Sequence, residues 1–505
     1  MRLIYLSFFC SLLWVGQLLA QEAPCGVSLA DGAAIKAQMM ENRRNINLAQ
    51  ISRQNTTYIP LSLHLVGSEA GQGFASGSKA VEMLCKLNSD FADQNIFFYL
   101  NGPVRFIYDD VIYDDAYNNT GQVRMSSYKV PNSLNVFVSA NVSRSVAGYY
   151  TPSRDFVFIQ NSYANGSSTT ITHELGHFFT LPHTFFGWEG VDARAQYSGS
   201  PAPLLVNGRL VENVARGIGA NCANAADGFC DTEADYISER FSCPVSTSLQ
   251  DPTGASLQIN SDYFMSYSSD NCQNTFSQEQ KNAMLADMAN RNWTNFPAPS
   301  SMDSLDGSQL QGISPINNDL AQEVNGQIRL EWDASTAPNA NQWVITVERI
   351  FNNIPLGQVY TGSVMNQNFA FIPSSALGSN RQFRWTVKPL QPAYTCAPSS
   401  PPFYFQTGTI SSSHSLADLA QNELQVFPNP VQDASLQLRL TSLANSSAQL
   451  AIYSLDGRII WEKADLALIA GEQDFRLAIP QLAAGQYFIL IRSDKQVWRQ
   501  AFIKQ

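Results

Sequence analysis

The sequence predicts a multidomain protein in which a mixed α/β domain is followed by two smaller β-sandwich modules. The chain has 505 residues, and at about 100–200 residues per domain this length predicts two to four domains. Strand-like and helix-like hydrophobic patterns alternate up to residue 295, whereas strand-like patterns dominate after it. Polar stretches at 296–315 and 410–422 are predicted linkers between these parts.

The N-terminal residues are predicted to be removed in stages. Residues 1–20 are typical of a cleaved secretory signal peptide, because Arg2 precedes an apolar run from Leu3 to Leu19. The alternative is a membrane anchor, but the run is slightly short for one and no positive stop follows. No other long apolar stretch exists, so the mature form is expected to have no transmembrane segment. Residues 21–56 are polar, show no strand pattern and are predicted to be a pro-segment.

Residues 57–295 are predicted to form the α/β domain. Alternate leucine and isoleucine side chains at 58–65 indicate a strand with one buried face, and apolar residues at 80–91 recur at helical spacing. Further strands are predicted at 96–100, 134–138 and 156–159, with a second helix after the Ser and Thr residues at 167–170.

Two β-rich modules are predicted downstream. The first, at 316–409, has strand-like runs at 328–332, 343–347 and 383–387, a spacing typical of a β-sandwich. The second, at 423–505, contains Asp456-Gly457 between apolar runs, which predicts a hairpin.

The charge balance argues against polyanionic partners. The chain has 31 Lys+Arg against 42 Asp+Glu, for a formal charge of -11, and no basic block. Binding to nucleic acid or to anionic membranes is therefore not expected.

The cysteines are predicted to form disulfides, because export places the chain in an oxidising compartment. The chain has 8 cysteines, and Cys10 lies in the signal peptide, so an odd number remains and at least one thiol stays free. Four of them lie between residues 222 and 272 and suggest two bridges there, with three pairings open. Cys85 is predicted to be a core thiol on its helix, and Cys396 has no evident partner.

The segment from His173 to His183 carries the strongest chemical signal. The chain has 5 histidines, and three of them fall in this His-Glu-x-x-His-x5-His pattern. Residues i and i+4 share a helix face, so His173 and His177 can bind one ion, and three imidazoles suit Zn²⁺ with a fourth position open to water. Glu174 lies beside that position and can act as general base.

The third ligand requires the chain to turn after the helix. Pro182 cannot continue a helix, so the turn is expected to bring His183 back towards the other two imidazoles. One alternative is a helix-surface histidine pair with an unrelated third histidine. Another is a zinc site in which a downstream glutamate replaces His183 as ligand, with Glu189 the nearest candidate.

This segment resembles the extended zinc motif of the metzincin metalloproteases, although Thr180 stands where that clan usually has glycine. A second segment, from Asp262 to Tyr267, resembles the Met-turn of the same clan. The resemblance implies that Met265 forms the hydrophobic base of the zinc site. It also places Tyr267 near the metal, where it could hydrogen-bond the oxyanion.

The set of motifs at about residues 57 to 295 is similar to the pappalysin family, with ulilysin-like or cytophagalysin character. This resemblance implies that residues 57–295 form a catalytic domain and that Cys243 pairs with Cys272. Cys222 and Cys230 are then the remaining pair. The family often has structural calcium near a segment like 227–232. Asp227 and Asp231 in a glycine-containing loop are candidate Ca²⁺ ligands, and the alternative is an Asp-capped turn.

Cys25 lies in the predicted pro-segment. A thiolate there could fill the open zinc position and hold the enzyme latent, as the cysteine switch of related proteases does. The alternative is a structural or unpaired cysteine.

The C-terminal module resembles the sorting domain of bacterial type IX secretion cargo, on the segments 426–430, 452–458 and 482–487. This implies export through the type IX machinery to the medium or the cell surface. The alternative is a generic adhesion module. The module at 316–409 resembles a fibronectin type III or similar sandwich.

Taken together, the sequence predicts a secreted zinc endopeptidase that acts on proteins or peptides. The first alternative is a binding protein with the same fold and no turnover, although the presence of both Glu174 and Tyr267 speaks against it. The second is a surface adhesin in which residues 316–505 carry the function.

Overall fold

The computed structural model describes residues 23–47, 56–140, 146–291, 293, 296–300, 303–324, 326–408, 424–432, 435–442, 445–454, 459–469, 471–493 and 497–505. The predicted signal peptide at 1–20, the predicted linker at 410–422 and the predicted turn Asp456-Gly457 lie outside these residues.

The first part of the chain is built around a 7-stranded mixed sheet. Its strands are β1 (Ala23–Cys25), β2 (Thr57–Gly67), β3 (Ile96–Leu100), β4 (Arg105–Tyr108), β5 (Leu134–Ser139), β6 (Val146–Thr151) and β7 (Phe156–Gln160). The order is β1-β6-β7-β5-β2-β3, and β4 also pairs with β2. Neighbouring strands are parallel apart from the β6–β7 pair.

Most helices of this part of the chain pack on the sheet. The helices described in this part are α1 (Leu29–Asn45), α2 (Gly77–Asp90), α3 (Asp110–Asp114), α4 (Asn119–Ser127), α5 (Thr170–Phe178), α6 (Ala193–Tyr197) and α7 (Gln278–Asn290). Helix α6 belongs to a separate cluster. One core joins one face of the sheet to α1, α2, α5 and α7, and a second core joins the other face to α3 and α4. A small hairpin, β8 (Leu205–Val206) and β9 (Arg209–Leu210), follows α6.

The prediction of one buried face for the strand at 58–65 is wrong. Residues 59 to 67 of β2 are all buried, because β2 is a central strand with parallel neighbours and a core on each side. The sequence alternates because Ser62 and His64, although polar, are buried on the second face.

The N-terminal segment is part of this structure. The sequence predicted no strand at 21–56, but β1 pairs with β6 in parallel, with Cys25 opposite Gly148. Helix α1 begins after Ser28, whose hydroxyl accepts the Asp31 amide hydrogen, and it buries Met39 in the main core. A strand of 3 residues is too short to show a hydrophobic period, which explains why the sequence does not reveal it.

The second part consists of two sheets. Its strands are β10 (Gln311–Ser314), β11 (Asp319–Ala321), β12 (Glu323–Val324), β13 (Gln327–Asp333), β14 (Gln342–Phe351), β15 (Ile354–Met365), β16 (Phe369–Pro373), β17 (Gln382–Leu390) and β18 (Phe403–Thr407). One sheet contains β10, β12, β13 and β16, and the other has the order β11-β18-β17-β14-β15. Trp332, Trp343 and Trp385 are buried between them. Strand β10 thus lies inside the range 296–315 that was predicted to be a linker.

The C-terminal part also has two sheets. Its strands are β19 (Leu424–Phe427), β20 (Ser435–Ser442), β21 (Ser446–Ser454), β22 (Ile459–Leu468), β23 (Gly471–Ala478), β24 (Gly485–Ser493) and β25 (Val497–Lys504). The sheet orders are β19-β20-β23 and β22-β21-β24-β25, and they enclose a core that includes Trp498.

The first two parts are joined covalently. Cys85 on α2 forms a disulfide with Cys396, so the predictions of a core thiol at Cys85 and no evident partner for Cys396 are wrong. The two positions are separated by 311 residues, and nothing local in the sequence links them. Buried Lys388 also forms an ion pair with Glu82 at 3.3 Å. The second part is therefore fixed against the α/β part.

Candidate metal centre

Helix α5 places His173, Glu174 and His177 on the inside of the molecule. All residues of this helix are buried, and His173 and His177 lie one turn apart with ring centroids 4.8 Å from each other. The i, i+4 spacing therefore places both imidazoles at one point, as the sequence predicts.

The chain reverses at Thr180, two residues before the proline that was expected to cause the turn. Thr180 has φ 67°, and the amide of Leu181 donates to the Gly176 carbonyl at 2.8 Å. Glycine adopts this left-handed conformation at little cost and a β-branched residue does so poorly. The departure from the metzincin pattern therefore lies at the residue that makes the turn.

This turn brings His183 to the other two imidazoles. Ligand atoms of Cys25, His173, His177 and His183 all lie within 4.8 Å of one another, and all four residues are buried. The Nε2 atoms of His177 and His183 are 3.0 Å apart. Among the described residues, these four form a group whose ligand atoms could hold one metal ion.

Each imidazole is oriented through its Nδ1 atom. His173 Nδ1 lies 2.7 Å from the Phe264 carbonyl, and His177 Nδ1 lies 2.8 Å from the Leu181 carbonyl. His183 Nδ1 lies 3.3 Å from Glu189 Oε1. Because an acceptor at Nδ1 holds the proton there, the Nε2 lone pairs are free to bind a metal.

The side chains present fit a zinc ion. His173 Nε2 is a buried atom with no hydrogen-bond partner among the described residues, and burial lowers the pKa of His173 to about 3, with repulsion from His183 adding to this. Burial and the neighbouring histidines also lower the pKa of His177. Neutral imidazoles whose Nε2 atoms converge, with a sulfur atom nearby, are the donor set that tetrahedral Zn²⁺ prefers.

Cys25 reaches this centre from strand β1. Its Sγ lies 3.5 Å from His177 Nε2 and 3.7 Å from Glu174 Oε2. Burial raises the pKa of the Cys25 thiol, and the negative charge of Glu174 raises it further. It is the free cysteine of the described residues.

Glu174 points into the same space. Its side chain is fully buried, and burial raises its pKa to about 8, against opposing hydrogen bonds from Cys25 and Tyr150. Its Oε1 has no hydrogen-bond partner among the described residues. A carboxylate in this position can accept a proton from a water molecule near the imidazoles.

Met265 lies directly under helix α5. Gly176 faces it so closely that an added Cβ would overlap the Met265 sulfur and lie 3.1 Å from its Cε. The Met265 carbonyl accepts the Thr184 amide hydrogen at 3.1 Å. Met265 therefore packs against the helix and is hydrogen-bonded to the residue that follows His183.

Tyr267 lies beside the imidazoles. Its ring centroid is 5.0 Å from that of His183 and 5.8 Å from that of His173. Its hydroxyl donates to the Cys25 carbonyl at 3.5 Å, and burial raises its pKa. The hydroxyl is thus a neutral donor at the edge of the centre.

Each carboxylate oxygen of Asp227 and Asp231 accepts a hydrogen bond from a protein group. Asp227 accepts from the Phe229 amide and the Thr232 hydroxyl at 3.0 Å each. Asp231 accepts from the Ser277 hydroxyl at 2.7 Å and the Glu279 amide at 2.8 Å, which places it at the start of α7. This is the capping role that was the alternative to calcium, and the calcium hypothesis gains no support.

The remaining cysteines of this region are paired. Cys222 bonds to Cys230 and Cys243 bonds to Cys272. Cys272 follows the Met265 turn, and Phe241, near Cys243, exchanges backbone hydrogen bonds with residues 267–269. The Cys243–Cys272 bridge therefore anchors the segment that contains Met265 and Tyr267.

Sequence reasoning missed the role of Glu189. The residue was considered as a direct ligand in place of His183, but the structure places it at the Nδ1 atom of His183. Its distance of 6 residues from His183 was visible in the sequence, whereas the loop that returns it to the imidazole was not.

Comparison with known proteins finds one family model and two distant relatives. Residues 425–505 match the family model described as a secretion system C-terminal sorting domain. An extracellular metalloprotease of Colletotrichum graminicola is 24% identical over 267 residues, which cover 49% of this chain and 81% of that protein. An extracellular metalloprotease of Verticillium alfalfae is 24% identical over 186 residues, which cover 32% of this chain and 62% of that protein.

Among solved structures, the chicken CNTN1 FN1-FN3 domains match with 8% identity and a TM-score of 0.15, covering 40% of this chain and 68% of that one. A score this low identifies no fold. The C-terminal domain and the two fungal relatives show that the protein is secreted or held at the cell surface. Within the described part of the chain, every helix is too short or too polar to cross a membrane.

Proposed function

We propose that the protein is a secreted zinc-dependent endopeptidase of the metzincin type, similar to the pappalysins. The convergence of His173, His177 and His183 on one buried point carries this proposal. The distant similarity to two extracellular metalloproteases supports it. The proposed organisation is a catalytic domain at 57–295, a fibronectin III-like module at 316–409 and a type IX sorting domain at 423–505.

The three histidines would hold the ion through their Nε2 atoms. When bound, zinc would polarise the scissile carbonyl and lower the pKa of a nearby water. Glu174 accepts the proton of the attacking water and then donates it to the leaving amine. Glu174 is placed for both steps, because its Oε2 lies 3.7 Å from Cys25 Sγ, a member of the ligand group.

Two further residues complete the proposed site. The Tyr267 hydroxyl, now hydrogen-bonded to the Cys25 carbonyl, would donate to the developing oxyanion once that carbonyl leaves. Met265 packs against α5 at Gly176 and would fix the position of the helix that carries His173 and His177.

The N-terminal segment is proposed to hold the enzyme latent. Cys25 Sγ occupies the ligand group, while β1 occupies the edge of β6. The helix α1 holds the segment in place, because Asn42 donates to Asp287 at 2.9 Å and Arg43 donates to the Gly228 carbonyl at 2.8 Å. Activation would therefore require removal of the whole segment, in accordance with the predicted pro-segment at 21–56.

Casein cleavage by the processed, secreted protein tests the proposal. Wild type should cleave casein and lose this activity in a zinc chelator. Glu174→Ala should cleave it at least about 100-fold more slowly, because a general base typically contributes that much or more. Glu348→Ala is the matched control, because Glu348 pairs with Arg384 in the second part of the chain. Equal cleavage by wild type and Glu174→Ala would refute the mechanism. Zinc-independent binding of a partner without any cleavage would favour the surface-binding alternative.

A further inference from the structure

The three histidines differ in the group that holds them. His173 and His177 face neutral backbone carbonyls, whereas His183 faces the carboxylate of Glu189. In each case the histidine makes this contact through its Nδ1 atom. A charged acceptor at Nδ1 makes the opposite nitrogen a stronger metal donor than a neutral carbonyl does. His183 is therefore the histidine with the distinct electrostatic environment.

Glu189 is held in place independently of His183. Its Oε2 accepts the Gly187 amide hydrogen at 2.8 Å, and Arg209 Nη1 lies 3.9 Å away from the same oxygen. The Asn207 amide group donates to the carbonyls of Gly187 and Glu189 at 3.1 and 3.3 Å. The carboxylate is thus anchored by the loop and by the β8–β9 hairpin, and its other oxygen is left for His183.

His183 itself is confined on its faces. The Phe185 ring stacks on the imidazole with centroids 4.6 Å apart and planes 13° apart, and Tyr267 packs edge-on at 5.0 Å. Stacking limits tilt of the ring but allows rotation within its plane. The contact between Nδ1 and Glu189 fixes that remaining rotation.

Glu189 is not itself a member of the ligand group. The atoms that lie within 4.8 Å of one another belong to Cys25 and the three histidines. Glu189 Oε1 instead lies on the far side of the His183 ring, at Nδ1, while Nε2 faces His177. One carboxylate cannot accept from Nδ1 and also bind an ion at Nε2 of the same ring.

We propose that Glu189 is a positioning residue for the metal. It accepts the Nδ1 proton of His183, sets the orientation of this third ligand and places a negative charge behind it. This inference rests on the proposed zinc site. Part of the affinity of the chain for zinc then depends on a residue that contacts neither metal nor substrate.

Zinc affinity of the full-length chain tests this, measured by competition with a chromophoric chelator and without reference to cleavage. Glu189→Gln keeps the shape and one acceptor oxygen but removes the charge. It should raise the zinc dissociation constant about 10–100-fold, the usual range for such partners. Glu348→Gln, the same change at a distant ion pair, should leave the constant unchanged.

The Co²⁺-substituted proteins supply a second measurement. The visible absorption bands of Glu189→Gln should shift relative to wild type, because the donor strength and orientation of one ligand have changed, and those of Glu348→Gln should not. If Glu189 serves only to hold its loop, Gln will still accept the Gly187 amide hydrogen, and both zinc affinity and the Co²⁺ spectrum will equal those of wild type. That result would overturn the inference and leave the protease proposal intact. A wild-type chain that binds no stoichiometric zinc would overturn both.

Discussion

Thr180 is the residue at which this sequence departs from the metzincin motif, and its replacement by glycine should stabilise the protein. The residue has φ 67°, its side chain is buried and its hydroxyl has no hydrogen-bond partner among the described residues. The left-handed conformation costs a residue with a Cβ about 1–2 kcal/mol, and a buried unsatisfied hydroxyl costs about 1–3 kcal/mol.

Two terms oppose this gain. Glycine loses about 0.5–1 kcal/mol more backbone entropy on folding, and the lost Cβ and methyl carbons together remove about 1.6 kcal/mol of apolar burial. The net expectation for Thr180→Gly is a gain of about 1 kcal/mol, which corresponds to a rise in Tm of about 2–4 °C for a domain of this size.

Scanning calorimetry of the full-length protein in a metal chelator measures this change without the contribution of metal binding. Thr180→Val separates the two favourable terms, because valine removes the hydroxyl but keeps the β-branch at positive φ. Both variants should have a higher Tm than wild type, and valine should be at least as stable as glycine because it keeps the apolar burial and avoids the entropy loss of glycine. A glycine variant less stable than wild type would show that the backbone conformation is not strained, and a valine variant no more stable than wild type would show that the unpaired hydroxyl carries no cost.

Three other changes should be measurable in the same way. Gly176→Ala should destabilise by about 1–3 kcal/mol through overlap with Met265, and the additional change Met265→Ala should recover part of the loss, so an additive double-mutant cycle would contradict the packing. Burial raises the pKa of Glu212 above its usual value of 4.5, so the stability that the protonated carboxyl contributes is complete below that pH and is lost as pH rises. The difference in Tm between Glu212→Gln and wild type should therefore change in favour of the variant between about pH 5 and pH 8. A difference that does not change with pH would count against this. Replacing Cys85 and Cys396 together by serine should lower the free energy of unfolding by about 2–4 kcal/mol, and an unchanged Tm without reductant would show that the bridge is dispensable.

The sequence could predict the histidine cluster because the residues that form it are close together along the chain. His173, Glu174 and His177 lie on one helix, and the period of a helix fixes which side chains share a face. The return of His183 was also predictable, since a proline so close to the motif forbids a continuous helix. The position of the turn was not predictable from Pro182, because Thr180 adopts a conformation that its residue type disfavours.

The features that escaped prediction depend on tertiary contacts between distant residues. The Cys85–Cys396 bridge spans 311 residues, and the Phe264 carbonyl that orients His173 lies 91 residues away from it. Backbone carbonyls occur at every residue, so no pattern marks the one that will face an imidazole. The burial of both faces of β2 likewise follows from the sheet order rather than from the strand itself.

The position of β1 links latency to substrate access under the proposed function. Cys25 lies opposite Gly148 on β6, and an added Cβ at Gly148 would lie 3.0 Å from Glu174 Cγ. The edge of β6 thus runs directly over the proposed general base, and the Gly26 amide donates to the Gly148 carbonyl at 2.8 Å. An extended peptide that replaced β1 at this edge would carry its own backbone past Glu174. Removing the sulfur of Cys25 alone would leave that edge occupied, whereas removing the segment frees the edge and the ligand position together.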